Sequence, residues 1–252
     1  MSRSQYGGRH ELGQNFLHHK PTINRMISLV GQTSGPILEL GAGDGALTRP
    51  LSLLDRELTA LEIDEHRVRR LRRRFPDITI AQGDALTYSF SEPVVVGNVP
   101  FHLTTPILRR LLDDLSWEDA ILLTQWEVAR KRAGVGGSTM MTAQSAPWFT
   151  FGLEGRVPSW GFTPQPSVDA AILVVHRRHA PLLEERDRGS YERFVRSAFT
   201  SRGRTLAEII QNAGRTSNKK ARSAIQMTEI KGKRLPRDLD ARQWVALWKA
   251  VR

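Results

Sequence analysis

The sequence contains no cysteine. That excludes a disulfide scaffold, a thiolate zinc site and a cysteine nucleophile, and it suits a reducing cytosol. It also lacks any apolar stretch approaching a membrane span, and Met1 to Leu17 carry charges without the apolar core of a signal peptide. The expectation is a cytoplasmic protein, neither secreted nor embedded in a bilayer. No group of His, Asp and Glu has metal-ligand spacing, since the adjacent His18 and His19 point in two directions from one backbone. No metal is expected. There is no internal repeat and no low-complexity tract.

What is present is a chain of 252 residues, 40% hydrophobic and 25% charged, long enough to bury a real core. Its net charge of +11 is unevenly spread. Residues 1–175 hold 18 Lys/Arg and 18 Asp/Glu, whereas residues 176–252 hold 19 and 8. All of the excess lies in the last third, which reads as a platform for a polyanion, most simply nucleic acid. The plainer alternative is a solvated helical face.

From about Gly35 to Val175, short apolar runs rich in β-branched residues alternate with segments of helical period, the pattern of a parallel sheet covered by helices. Strands are predicted near Ile37 to Leu40, Leu58 to Ile63, Ile78 to Ala81, Val94 to Val96 and Ala120 to Thr124. Phe149 to Val157 and Ala170 to Val175 read as an antiparallel pair closing the sheet, with Pro158, Pro164 and Pro166 marking a loop between them. Pro21 and Thr22 open a helix whose apolar face is Ile23, Met26, Ile27 and Val30. Beyond about Arg177, Tyr191 to Phe199, Leu206 to Ile210 and Leu239 to Val251 carry helix-spaced apolar residues and no strand signal. The expected fold is therefore α/β, a doubly wound Rossmann-like sheet in residues 1–176, followed by a small, basic, all-helical domain in residues 177–252. Arg67 to Arg74 places six arginines on one helix, either a solvated face or an RNA contact.

The strongest chemical signal is the run from Ile37 to Thr48, a strand entering a loop with glycines at 41, 43 and 45. These glycines let the backbone approach a ligand. A dinucleotide fold would show GxGxxG to seat pyrophosphate on a helix N-terminus; here the spacing is GxGxG, with Glu39 ahead of it and Asp44 inside it. Acids repel pyrophosphate and suit a cation, so the implied ligand is S-adenosylmethionine, which carries a sulfonium and an ammonium. Glu62 ends the second strand 21 residues after Gly41, where a carboxylate can bind both ribose hydroxyls. Ile63 follows it, and Asp84 with Ala85, after the third strand, suits an adenine amino group.

The fourth strand runs into Asn98, Val99, Pro100 and Phe101. An adenine amino nitrogen is a poor nucleophile because its lone pair is delocalised into the ring. The Asn98 side-chain oxygen and the Val99 carbonyl can each accept one amino hydrogen, and Phe101 can stack on the base. Without cysteine, methyl transfer to pyrimidine C5 through a thiolate adduct is excluded. His102 reads as a surface residue beside a turn.

These residues carry a resemblance. Gly13-Gln-Asn-Phe-Leu17, the glycine-loop run, Gly83-Asp-Ala-Leu86, Asn98-Val-Pro-Phe101 and Phe162-Thr-Pro-Gln-Pro-Ser-Val-Asp169 occur in the order typical of the rRNA adenine N6-methyltransferases, over nearly the whole chain. The likeness is strongest to the Erm macrolide-resistance methyltransferases; the small-subunit dimethyladenosine transferases share the motifs. The resemblance implies that Gln14, Asn15 and Leu17 lie over the cofactor, that Glu39, Gly41 and Gly43 hold its methionine part, Glu62 and Ile63 its ribose, and Asp84 and Ala85 its adenine. It makes Asn98 to Phe101 the catalytic tetrapeptide, with Asn98 also facing the cofactor, and Phe162 an aromatic against the flipped base, although by its own chemistry Phe162 serves equally well as core. It further implies methylation of 23S rRNA, free or in a large-subunit precursor, by a monomer, with macrolide, lincosamide and streptogramin B resistance as the result. A silent RNA-binding protein on this fold would be expected to lose the glycine loop or the tetrapeptide, and both are intact.

Overall fold

The computed structural model describes residues 14–228, 230 and 233–252. The chain folds into two compact units. One comprises the residues up to Ala129 together with Gly152–His176; the other comprises Arg130–Phe151 and Arg177–Arg252.

In the first unit, β1 (Phe16–Leu17) leads into α1 (Lys20–Val30), which has Pro21 in its first turn where no backbone donor is needed. Then follow β2 (Ile37–Leu40), α2 (Thr48–Leu51), β3 (Leu58–Glu62), α3 (Glu65–Arg74), β4 (Thr79–Gln82), β5 (Val94–Asn98), α4 (Thr104–Asp113) and β6 (Asp119–Gln125). Asp64 caps α3 by accepting from the amides of His66 and Arg67, which fixes where the arginine-rich helix begins. α5 (Trp126–Arg132) and α6 (Met140–Ser145) precede β7 (Phe149–Val157), β8 (Phe162–Thr163) and β9 (Ala170–Arg177).

The seven-stranded sheet has the order β4-β3-β2-β5-β6-β9-β7. The first five of these strands run parallel, and β9 joins β6 antiparallel with Ile121 opposite Val174. Parallel strands buried on both faces read as continuous apolar runs, as Val94-Val-Val96 does. Ile37, Val94, Val96, Ile121, Leu123 and Ile172 pack with Met26 and Val30 of α1 into one core. Strand order reverses between β2 and β5, so the crevice beyond their carboxyl ends is where an open α/β sheet takes its ligand. At Gly97 of β5, a Cβ would stand 2.5 Å from the Leu40 carbonyl oxygen, so only glycine lets these two central strands meet there.

The second unit carries α7 (Arg188–Thr200), α8 (Leu206–Ala213), α9 (Asn218–Met227) and α10 (Ala241–Val251). Thr205, Ser217 and Asp240 accept from the third amide of α8, α9 and α10, respectively. Its core is aromatic: Tyr191 meets Trp148 at 5.8 Å and Trp248 at 6.0 Å, while Trp244 meets Phe194 edge-on and stacks on Phe199. The buried Tyr191 hydroxyl donates to the Ala143 carbonyl at 2.9 Å, which ties α6 to α7.

The α/β sheet and the helical segment agree with the sequence expectation, but three features differ from it. Residues 130–151, assigned by sequence to the first domain, pack with the C-terminal helices because Trp148 and Ala143 complete their aromatic core. The β1–β8 ladder, Phe16 opposite Thr163 and Leu17 opposite Phe162, is too short to leave an alternating pattern. α9 escaped prediction because its apolar face is mainly Ala221 and Ala224.

Candidate active site

The end of β2 passes into the glycine loop, and Gly41, Gly43 and Gly45 all adopt positive φ. At Gly43 a Cβ would also press on the Phe16 ring at 3.3 Å. The loop is tied to β3: the amides of Gly41 and Ala42 both donate to the Leu61 carbonyl, and the Gly43 amide donates to Glu62 Oε2 at 2.7 Å. Glu62 Oε1 accepts from the amides of Ile63 and Asp64, both at 2.9 Å. Three of the carboxylate's roughly four acceptor positions are thus taken, leaving one to a ligand.

Glu39 sits on the next strand, 1% exposed, with the buried Thr48 hydroxyl donating to its Oε2 at 2.6 Å. Burial pushes the Glu39 carboxyl up to about 7; the Thr48 hydrogen bond opposes the shift, and the charge of Glu62 adds to it. Two buried carboxylates at one loop, one of them already reluctant to ionise, form a site that a cation relieves.

The two acids of the glycine-loop run differ in their partners. Asp44 cannot be counted toward a cationic ligand, because Arg67 pairs with its carboxylate, Arg70 lies 3.7 Å away and Arg74 donates to its backbone carbonyl at 3.0 Å. The uncompensated charge belongs to Glu39. Arg67 also lies over the Phe16 ring, 4.2 Å from its centroid, so the arginine helix is neither wholly solvated nor wholly free for RNA.

A cavity of about 350 Å³, within the usual size of a small-molecule site, opens at this crevice. Gln14, Asn15, Leu17, Glu39, Gly41, Gly43, Asn98 and Pro100 line it. Asn98 Nδ2 donates to the Asn15 carbonyl at 2.8 Å. That bond takes one of the two amide hydrogens and fixes the side chain at the cavity wall, with Oδ1 as its acceptor. Gly13, which precedes this N-terminal motif, lies outside the described residues.

Glu62, Ile63, Asp84 and Ala85 lie apart from that lining. Glu62 is turned into its amides. Asp84 Oδ1 accepts from the Leu86 amide at 2.8 Å, and the Ala85 carbonyl accepts from Arg110, so both help to form a turn. The Gly83 amide donates to the Glu62 carbonyl, which keeps that turn beside β3. Strand order β4-β3-β2-β5 therefore sets Asp84, Glu62, Glu39 and Asn98 in a row at one edge. The row spans about 14 Å, three strand spacings of about 4.8 Å. It suits an elongated ligand.

Val99 is buried behind the cavity, while Phe101 is half-buried in the turn after Pro100. Of the two readings open for Phe162, core or aromatic platform, the structure shows the core. The residue is 2% exposed, in the core with Leu17, and meets Phe101 edge-on at 6.2 Å, so it buttresses Phe101.

The profile of the ribosomal RNA adenine dimethylase family matches residues 6–251. The chain belongs to that family. It is 49% identical over 250 residues to the mycinamicin-resistance protein MyrB of Micromonospora griseorubida, covering 98% of this chain and 80% of that protein. It is 50% identical over 216 residues to an rRNA adenine N-6-methyltransferase of Corynebacterium diphtheriae, covering 84% of this chain and 85% of the relative. The crystal structure of the 23S rRNA methyltransferase ErmE superposes with a TM-score of 0.83 at 30% identity, over 94% of this chain and 99% of that one.

Around the cavity, the sequence reading gave no role to Thr48 and Phe16 and did not foresee the pairing of Arg67 with Asp44. Thr48 closes the glycine-loop run nine residues after Glu39, a spacing that could have flagged it. Phe16 and Arg67 left no signal because their contact depends on how β1 crosses the loop. No helix among the described residues is long and apolar enough to cross a membrane, and no group of three or more potential metal ligands occurs among them.

Proposed function

We propose that this protein transfers a methyl group from S-adenosylmethionine to N6 of a specific adenine in 23S rRNA, and that the modification gives resistance to macrolides, lincosamides and streptogramin B. The observation that carries the proposal is Asn98, held by Asn15 at the wall of the cavity, in a chain whose relatives include a mycinamicin-resistance protein and a 23S rRNA methyltransferase. The reading includes action as a monomer in the cytoplasm.

The donor residues fit an elongated cation. Glu39, buried with the Thr48 hydroxyl on its carboxylate, would face the positive end; Gly41 and Gly43 bring backbone close; Glu62, Ile63, Asp84 and Ala85 would receive ribose and adenine. Gln14, Asn15 and Leu17 close over the cavity. S-adenosylmethionine supplies an electrophilic methyl group when bound. Asn98 Oδ1 and the Val99 carbonyl would each accept one hydrogen of the target amine, drawing its nitrogen toward tetrahedral geometry and aiming the lone pair at the donor. Phe101, backed by Phe162, would stack on the base. A strong general base is unnecessary, since the nitrogen becomes acidic on methylation. Unstacking the adenine costs a few kcal/mol, offset by phosphate contacts of the basic surface.

The test is incubation of the protein with labelled S-adenosylmethionine and purified 23S or 16S RNA, followed by nucleoside mass spectrometry. N6-methylated adenosine at one position of 23S RNA is expected. Label confined to 16S RNA would redirect the chain to small-subunit modification, and no label in either would contradict the proposal.

A further inference from the structure

Trp160 is the exposed tryptophan of this chain, at 60%, while the other five are buried or half-buried. It lies in the short turn Ser159–Gly161, two residues before Phe162, and that turn is firmly mounted. The amides of His18 and His19 both donate to the Gly161 carbonyl, at 2.9 and 3.2 Å. A Cβ on Gly161 would meet His19 Cβ at 2.7 Å, so the close approach of the two segments depends on glycine. The Asp169 carboxylate holds the other side, accepting from the Ser159 amide at 2.9 Å and from Arg156 at 2.8 Å, and Gln165 donates to the Ser159 hydroxyl. His19 in turn is fixed by Thr22 at 2.8 Å and presents its ring edge-on to the indole, 4.8 Å between centroids. A large aromatic face is thus held rigidly in water, where it fills no core.

Its turn carries cations and connects to the reacting residues. The exposed Lys20 follows His19 in the chain, the exposed Arg156 is paired with the Asp169 that holds the turn, and Glu154 is paired with Arg25. Leu17 pairs with Phe162, Phe162 meets Phe101, and Asn15 holds Asn98. Trp160 thus stands two residues before Phe162, whose ring lies 6.2 Å from that of Phe101 in the Asn98 tetrapeptide, which connects the indole's turn to the residues that would hold the target base. An aromatic face among cations is how proteins hold unpaired bases, stacking on the ring and neutralising the backbone.

We propose that Trp160 is the stacking platform for an unpaired RNA base flanking the target adenosine. The proposal rests on the rRNA methylation reading above. It makes Trp160 a substrate-positioning residue that sets which nucleotides can neighbour the modified adenine, and nothing in the transfer chemistry itself requires it.

The test uses the full-length protein with Trp160→Ala and Trp160→Phe, a 23S RNA hairpin containing the target adenine, and the same hairpin with an abasic residue at each flanking position in turn. Trp160→Ala is expected to raise the half-saturating RNA concentration about 5- to 100-fold, the range of one lost base stack, and Trp160→Phe by less than about threefold. S-adenosylmethionine affinity, measured by calorimetry, stays unchanged and reports that the variants are folded. One abasic position should weaken the wild type to the same degree while costing Trp160→Ala nothing further. Wild-type RNA affinity in Trp160→Ala, or losses that add at every abasic position, would overturn the platform. Self-association of the wild type that disappears in Trp160→Ala, with RNA affinity unchanged, would give this face to a second copy of the chain. If the wild type methylates no RNA, the functional reading falls and takes the platform with it; if it methylates and Trp160→Ala matches it, the platform alone falls.

Discussion

The unit built on the sheet holds 15 Lys/Arg against 18 Asp/Glu, a net −3, whereas the helical unit holds 22 against 8, a net +14. The whole-chain value of +11 conceals this split, and so does a boundary drawn at residue 176, because Arg130, Lys131 and Arg132 belong with the helices. Two acids of the first unit are drawn inward. Glu39 and Glu62 are each 1% exposed at the mouth of one loop, beside an aliphatic core. The second unit packs aromatic side chains inward and leaves Arg196, Arg202, Lys219 and Arg222 in solvent. Buried anions select one small cation, while dispersed surface cations attract a polyanion of any sequence. From this difference we propose that one unit supplies chemistry and cofactor choice and the other nucleic-acid affinity.

The sharpest way to break that assignment is Asn98→Ala, which should lower the single-turnover methylation rate about 10²- to 10³-fold while leaving cofactor affinity nearly intact. Near-wild-type rates would mean that another group positions the amine. Next in size is the salt response of RNA binding. Replacing Arg196, Arg202, Lys219 and Arg222 by Gln should reduce the slope of log affinity against log salt by about 3, at roughly 0.7 to 0.9 per phosphate contact. Arg70 and Arg73 of α3 are the rival source, and the same titration on an Arg70→Gln, Arg73→Gln variant apportions the slope. Point substitutions serve better than deletion from Arg177, which would strip Tyr191 and Trp248 from Trp148 and α6.

Glu62→Ala should weaken S-adenosylmethionine binding by about 1–3 kcal/mol in calorimetry, since it removes a charge-assisted acceptor and frees the Gly43 amide. Unchanged affinity would remove Glu62 from the cofactor site. The smallest expected effect is the pH dependence set by Glu39. Its carboxyl titrates near 7 in the folded chain rather than at 4.5, so between those values the native state keeps a proton that the unfolded chain has lost. Stability should therefore fall as pH rises from 4.5 to 7 and level off above that, a slope absent in Glu39→Gln. A cation that favours the ionised carboxylate should bind about tenfold more tightly at pH 8 than at pH 6, and Glu39→Gln should flatten that rise.

Much of the fold was legible because buried parallel strands such as Val94-Val-Val96 advertise themselves as short apolar runs. Glycine spacing and the acid before the loop likewise pointed to Gly41, Gly43 and Glu39, which the structure brings together at one cavity, since only particular residue types tolerate positive φ or suit a cation. What escaped was decided by packing between distant segments. Asp44 reads as a free acid until α3 brings Arg67, Arg70 and Arg74 onto it. Phe162 reads equally as core or platform until Leu17 and Phe101 place it in the core, and the role of Trp160 depends on a turn held by His19 and Asp169, far apart in sequence. A two-residue ladder has no periodicity to read, and an alanine-faced helix has too little hydrophobic contrast.

The division of labour is tested most directly by single-turnover methyl transfer to a 23S RNA fragment, with rate followed against RNA concentration for two variants. The helical-unit charge variant should raise the half-saturating RNA concentration and keep the maximal rate, whereas Asn98→Ala should lose the maximal rate and keep the half-saturation point. A charge variant that loses its maximal rate at saturating RNA, or Asn98→Ala that loses only RNA affinity, would contradict the account.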